Sequence, residues 1–140
     1  MSIKNSLIST KPISIDIGIL VARIVVGVYF IAHSYELFDI NAMNNFAEYL
    51  SKDLHFPQPL FMAYLRTSAE FFGGILLILG LYTRIATILI TFTMLVAAFT
   101  AGNGDVFGDA EMNVIYAAFC LTILFIGSGK FSIQKYLFKE

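Results

Sequence analysis

The chain has 140 residues, 58% of them hydrophobic and 14% charged, with a mean hydropathy of +0.78 and a formal net charge of −1. So much apolar content in so short a chain excludes an ordinary soluble domain and leaves a single multi-pass membrane domain over residues 1–140. One cysteine, Cys120, excludes an internal disulfide and any CxxC dithiol, and no phosphate loop, nucleophile elbow or nucleic-acid patch is legible.

Residues 1–15 are polar and broken by Pro12, and the apolar run that follows is too long for a cleavable signal. They are expected to form a short cytoplasmic tail. The first spanning helix is expected over 14–38. In it Arg23 shares a face with Gly27, Phe30 and Ser34, while Tyr29, His33 and Glu36 make a neighbouring stripe that turns polar toward the far end. Met43, Phe46, Leu50 and Leu54 then recur at helical spacing, which predicts a short interfacial helix in the first outer loop, stopped by Pro57 and Pro59.

The second span, 60–82, carries Arg66 and Glu70 within it. These are i and i+4, on one face with Ala63, Gly73 and Gly74, and Phe61, Leu65, Phe72, Ile75 and Leu79 occupy the other. A charge near the bilayer centre costs about 2.5–3.5 kcal/mol, whereas each Leu, Ile or Phe returns only about 0.3–0.6 kcal/mol. The helix is therefore marginal alone, and its polar stripe must turn inward to find partners.

The third span, 85–101, is uncharged, with Thr87, Thr91, Met94 and Ala98 on a small, polar stripe. A turn-rich acidic linker follows, in which Asp109 is predicted to cap the fourth span, 112–128. The tail mixes aromatics with Lys130, Lys135 and Lys139 and is expected to lie along the membrane surface. The fold class is thus all-α, a polytopic four-helix membrane bundle. Lys4, Lys11, Arg84, Lys130, Lys135 and Lys139 fall on one side and only Lys52 on the other, which predicts a cell (inner) membrane protein with both termini cytoplasmic.

With helix midpoints level, Glu70 lies near mid-membrane, Arg23 about 6 Å toward the cytoplasm, and Arg66 and then His33 about 6–9 Å toward the outside. Two readings follow. Arg23 and Glu70 form a structural ion pair, since either charge left alone is costly. His33, Arg66, Glu70 and Glu111, walled by Tyr29 or Tyr116, line a ligand pocket in which cationic donors meet an oxyanion or quinone carbonyl and a carboxylate handles protons. The two histidines, His33 and His55, have no metal-ligand spacing, so no metal site is expected. The pairs Ala69/Gly73 and Gly18/Ala22 predict close helix contacts, within the bundle or between the protomers of a homo-oligomer.

Laid out in order, the residues resemble the DoxX family of small four-helix membrane proteins from about Ile17 to Leu137. The pieces are Arg23 with Gly27, the pair His33–Ser34, E-x-x-G-G at 70–74, LxLGLYTR at 77–84, Met94 with Ala97 and Ala98, Gly108 with Glu111, and GSGKFSI at 127–133. The family often has a lysine shortly after the histidine position, where this chain has Glu36. The resemblance implies a link to membrane oxidoreductases, including subunits of thiosulfate:quinone oxidoreductase. The chain would then be a membrane subunit of a redox system, binding quinone or a small sulfur species. It has no cofactor motif of its own, so a soluble or membrane redox partner would supply the electrons. The competing expectation is a non-enzymatic scaffold or assembly factor whose buried charges are structural.

Overall fold

The computed structural model describes residues 14–138, and among them every regular element is helical. Helix α1 (Ile15–Ser34) starts at Ser14, whose hydroxyl accepts from the Ile17 N–H, and ends in a 3-10 turn over Tyr35–Phe38. Helix α2 (Ile40–Lys52) is capped by the Asp39 carboxylate, which accepts from the Asn41 N–H at 2.9 Å. Then come α3 (Pro59–Leu79), α4 (Thr83–Thr100), α5 (Glu111–Ile126) and the short α6 (Ile133–Phe138). Three segments, Ile15–Phe38, α3 and α4, are long and apolar enough to cross a membrane, and α5, at 16 residues, is the shorter fourth. The cytoplasmic tail expected over residues 1–15 lies, as far as residue 13, outside the described residues.

Alternating α1, α3, α4 and α5 pack as a bundle around Val26, Phe30, Leu77, Ile90, Met94 and Cys120, all buried. Phe61, Leu65, Phe72 and Leu79 are exposed, as the greasy face of α3 requires in lipid. Two glycines set the spacing of α1 and α3. A Cβ on Gly27 would stand 2.7 Å from the Gly74 carbonyl oxygen, and one on Gly74 would stand 2.8 Å from that of Gly27. Gly27→Val is therefore expected to force the helices apart and cost about 2 kcal/mol, read by equilibrium unfolding in mixed detergent. An unchanged midpoint would contradict the packing.

The ends of the elements depart from expectation in two places. Helix α4 starts at Thr83 rather than residue 85, because Gly80 and Tyr82 take left-handed backbone (φ 67° and 46°) and reverse the chain within three residues. Asp109 does not cap α5. The residue before that helix is Ala110, with no side-chain cap, and the loop instead folds on Asp105, whose carboxylate accepts from the Phe107 N–H.

The expected Arg23–Glu70 ion pair is also corrected. Arg23 is 1% exposed and spends its guanidinium on backbone carbonyls. Its Nε donates to Leu77 O at 2.9 Å, Nη2 to Ile78 O at 3.1 Å, and Nη1 to Phe131 O at 3.2 Å and to Ser128 O. Leu77 and Ile78 belong to the last turn of α3, where carbonyls lack helical partners and the helix dipole favours a cation. They lie two turns, about 10 Å, along α3 from Glu70. One buried arginine thus ties α1 to the end of α3 and to the strap between α5 and α6. Gly80 beside it leaves no room for a side chain: a Cβ there would collide with the guanidinium.

Candidate functional site

The charged pair of the bundle interior is local to α3. Arg66 Nε donates to Glu70 Oε1 at 2.8 Å, across one turn, so the pair needs no tertiary contact to bring it together. The two partners differ in environment. The Glu70 side chain is 7% exposed, whereas that of Arg66 is 36% exposed and carries its guanidinium over the Phe46 ring of α2, 5.2 Å from the centroid. Among the described residues, the two Nη groups of Arg66 take no hydrogen-bond acceptor. They face a cavity.

That cavity, about 250 Å³, lies between α2, α3 and α4. Tyr49 and Leu50 of α2 and Leu54 and Phe56 after it form the roof. Leu65, Arg66 and Ala69 come from α3, and Leu89, Phe92, Thr93 and Val96 from α4. Arg66 is the one charged residue in the lining, which is otherwise almost wholly carbon. Leu65, Leu89 and Phe92 are exposed on the outside of the bundle, so the cavity opens sideways between α3 and α4 toward the bilayer. The roof holds because α2 buries Ala47 and Leu50 against Ala63 of α3, with Phe46, Leu54, Phe56 and Met62 packed around them.

A separate aromatic group joins α1 and α5. Tyr29 of α1 stacks on Tyr116 of α5 with centroids 3.9 Å apart and planes 21° apart, and His33 meets the edge of Tyr29 at 4.6 Å. His33 is exposed at the bundle surface. Glu111 stands apart, exposed at the first residue of α5, with no hydrogen bond from its side chain among the described residues. The six expected site residues thus do not line one pocket. Arg66 alone of the six lines the apolar cavity, because depth in the membrane fixes a residue's level but not the direction in which its helix turns it.

The residues missed from sequence are those of α2 and α4 in the lining. Leu50 and Leu54 carry a signal, their helical spacing, but nothing in it tells which face of α3 they cover. No group of three or more metal-ligating side chains occurs among the described residues.

A DoxX family model matches residues 18–103, more than half of the chain. The chain belongs to the DoxX family. It is 28% identical over 127 residues to the Bacillus subtilis protein named "Putative oxidoreductase CatD", covering 90% of this chain and 91% of that one. It is 35% identical over 78 residues to an "Uncharacterized protein" of Haemophilus influenzae, covering 51% of this chain and 58% of that one. No solved structure matches. Together with the helices, this makes the chain a DoxX-family membrane protein.

Proposed function

We propose that this protein is the membrane subunit of a redox system and that it binds an isoprenoid quinone in the cavity beside Arg66. The observation that carries the reading is the lining: it is almost wholly carbon, with Arg66 its one charged residue, and the two Nη groups of that arginine take no acceptor among the described residues. The choice between quinone and a small sulfur anion follows from charge. Glu70 already balances Arg66, so an anion entering the cavity would lose its water without gaining a free counter-charge, whereas a neutral carbonyl needs only the hydrogen bonds.

In this reading Arg66 orients and polarises the quinone carbonyl, and the partner's electrons reduce it. Glu70, bonded to Arg66, and the pair Tyr29 and His33 are the titratable groups of the bundle suited to supplying the two protons that a two-electron reduction consumes. The basic end of the bundle, with Arg84, Lys130 and Lys135, faces the cytoplasm of the cell (inner) membrane, and the α2 roof faces outward. The name of the Bacillus relative supports an oxidoreductase context.

The test is to purify the protein in mild detergent, extract it, and quantify retained quinone by mass spectrometry. Wild type should retain quinone, and Arg66→Ala should retain about tenfold less, the worth of one charge-assisted hydrogen bond. Equal retention by both, or none by wild type, would favour the scaffold reading, to which the purely structural bonding of Arg23 lends its own support.

A further inference from the structure

The lining of the cavity beside Arg66 also limits which quinone can enter it, an inference that rests on the reading above. Four residues of the lining have polar side chains: Tyr49, Arg66, Thr93 and Thr100. Two of them have no proton to offer. Thr93 Oγ1 donates to Ile90 O at 2.9 Å and Thr100 Oγ1 to Val96 O at 2.7 Å, each to the preceding turn of α4. Turning either hydroxyl toward a ligand would exchange one bond for another with no net gain. The side-chain donors left are the Tyr49 phenol and the Arg66 guanidinium, whose Nε is already held by Glu70 Oε1 at 2.8 Å. The remaining wall is aliphatic and aromatic carbon, with Phe56 following α2 and Phe92 on α4.

We propose that this cavity selects a naphthoquinone of the menaquinone type over a methoxylated benzoquinone of the ubiquinone type. Both headgroups have two carbonyl oxygens, matched in number by the two free donor side chains. Both also contain the same number of heavy atoms, so a cavity of about 250 Å³ does not separate them by size. Polarity separates them. Where the naphthoquinone has a fused carbon ring, the benzoquinone has two methoxy groups, each beside a carbonyl. The planar Arg66 fork can serve one carbonyl and the ether beside it, but a phenol has a single proton. The second ether oxygen would therefore lose its water against carbon and gain no donor. A fused ring meets no such cost, and aromatic walls favour it.

The experiment displaces a photoactivatable azido-quinone from the full chain in nanodiscs of synthetic, quinone-free lipid. The competitors are menaquinone and ubiquinone with the same diprenyl tail, each dosed as a mole fraction of the lipid. Menaquinone is expected to reach half-displacement at a mole fraction about tenfold lower than ubiquinone. Thr93→Val and Thr100→Val should leave both values unchanged, because neither hydroxyl serves the ligand. Tyr49→Phe should weaken both quinones by a similar factor, about fivefold, and keep their ratio. If wild type takes no displaceable label, the quinone reading and this inference fall together. If the label is displaced but the two quinones compete equally, or ubiquinone competes better, the selectivity is wrong and the quinone reading stands. A threonine-to-valine change that weakens ubiquinone alone would also overturn the selectivity argument, since that threonine would then be the donor to the ether.

Discussion

Arg23→Met is expected to destabilise the protein in detergent by about 4 kcal/mol, the largest loss of any single change considered. Methionine fills much of the volume but donates nothing. The carbonyls of Ile78, Ser128 and Phe131 then lose their donor in a site from which water is excluded, and Leu77 O keeps only the Gly80 N–H, at 3.2 Å. Arg23→Lys should recover about half, because an ammonium is a point donor and cannot span four oxygens held by two separate segments. The damage should concentrate at the strap. Amide exchange at residues 128–132 ought to accelerate more than exchange within α3, since the strap otherwise holds to the bundle through few bonds, notably Gln134 N–H to Gly80 O and Lys130 N–H to the Asp16 carboxylate. Equilibrium unfolding of the three proteins checks this, and a loss below about 1 kcal/mol for Arg23→Met would show that the carbonyls find other partners.

The second large effect concerns Arg66 and Glu70, and it is asymmetric. Arg66→Met strands a carboxylate that is 7% exposed and should cost about 3–4 kcal/mol. Glu70→Gln strands a guanidinium that is 36% exposed and rests on the Phe46 ring, so its loss should be nearer 1–2 kcal/mol. The double variant should be more stable than Arg66→Met alone, because no charge is then left unpaired. Losses from Arg23→Met and Glu70→Gln should add simply, since those two side chains share no bond. A double-mutant cycle on each pair separates the cases. Coupling between Arg23 and Glu70 with none between Arg66 and Glu70 would invert the assignment.

These two results also mark what the residues announce and what they withhold. Arg66 and Glu70 are four apart on one helix, so their contact follows from helical geometry alone, as does the lipid-facing row Phe61, Leu65, Phe72 and Leu79. The membrane class and the four long helices follow from hydropathy in the same way. Arg23 is different. Its partners are main-chain oxygens of Leu77, Ile78, Ser128 and Phe131, and a carbonyl leaves no mark in residue identity, so the residues alone point to a carboxylate instead. The cavity was hidden for another reason. It exists because α2 folds back over α3 and α4, and the azimuth of that return depends on packing between Leu50, Ala47 and Ala63 rather than on any local pattern. Counting turns gives Glu111 and His33 a level in the membrane, yet level does not decide which side chains meet.

The central claim is that the space between α2, α3 and α4, with Arg66 at its wall, holds a quinone. Photoaffinity labelling with an azido-quinone in native membranes, followed by peptide mapping, tests it most directly. The account predicts label on the lining residues around Tyr49, Leu65 to Ala69 and Leu89 to Val96, displaced by excess unlabelled quinone and lost in Arg66→Ala. Label that spreads over the lipid-facing surfaces of all the helices, or that persists in Arg66→Ala, would contradict it.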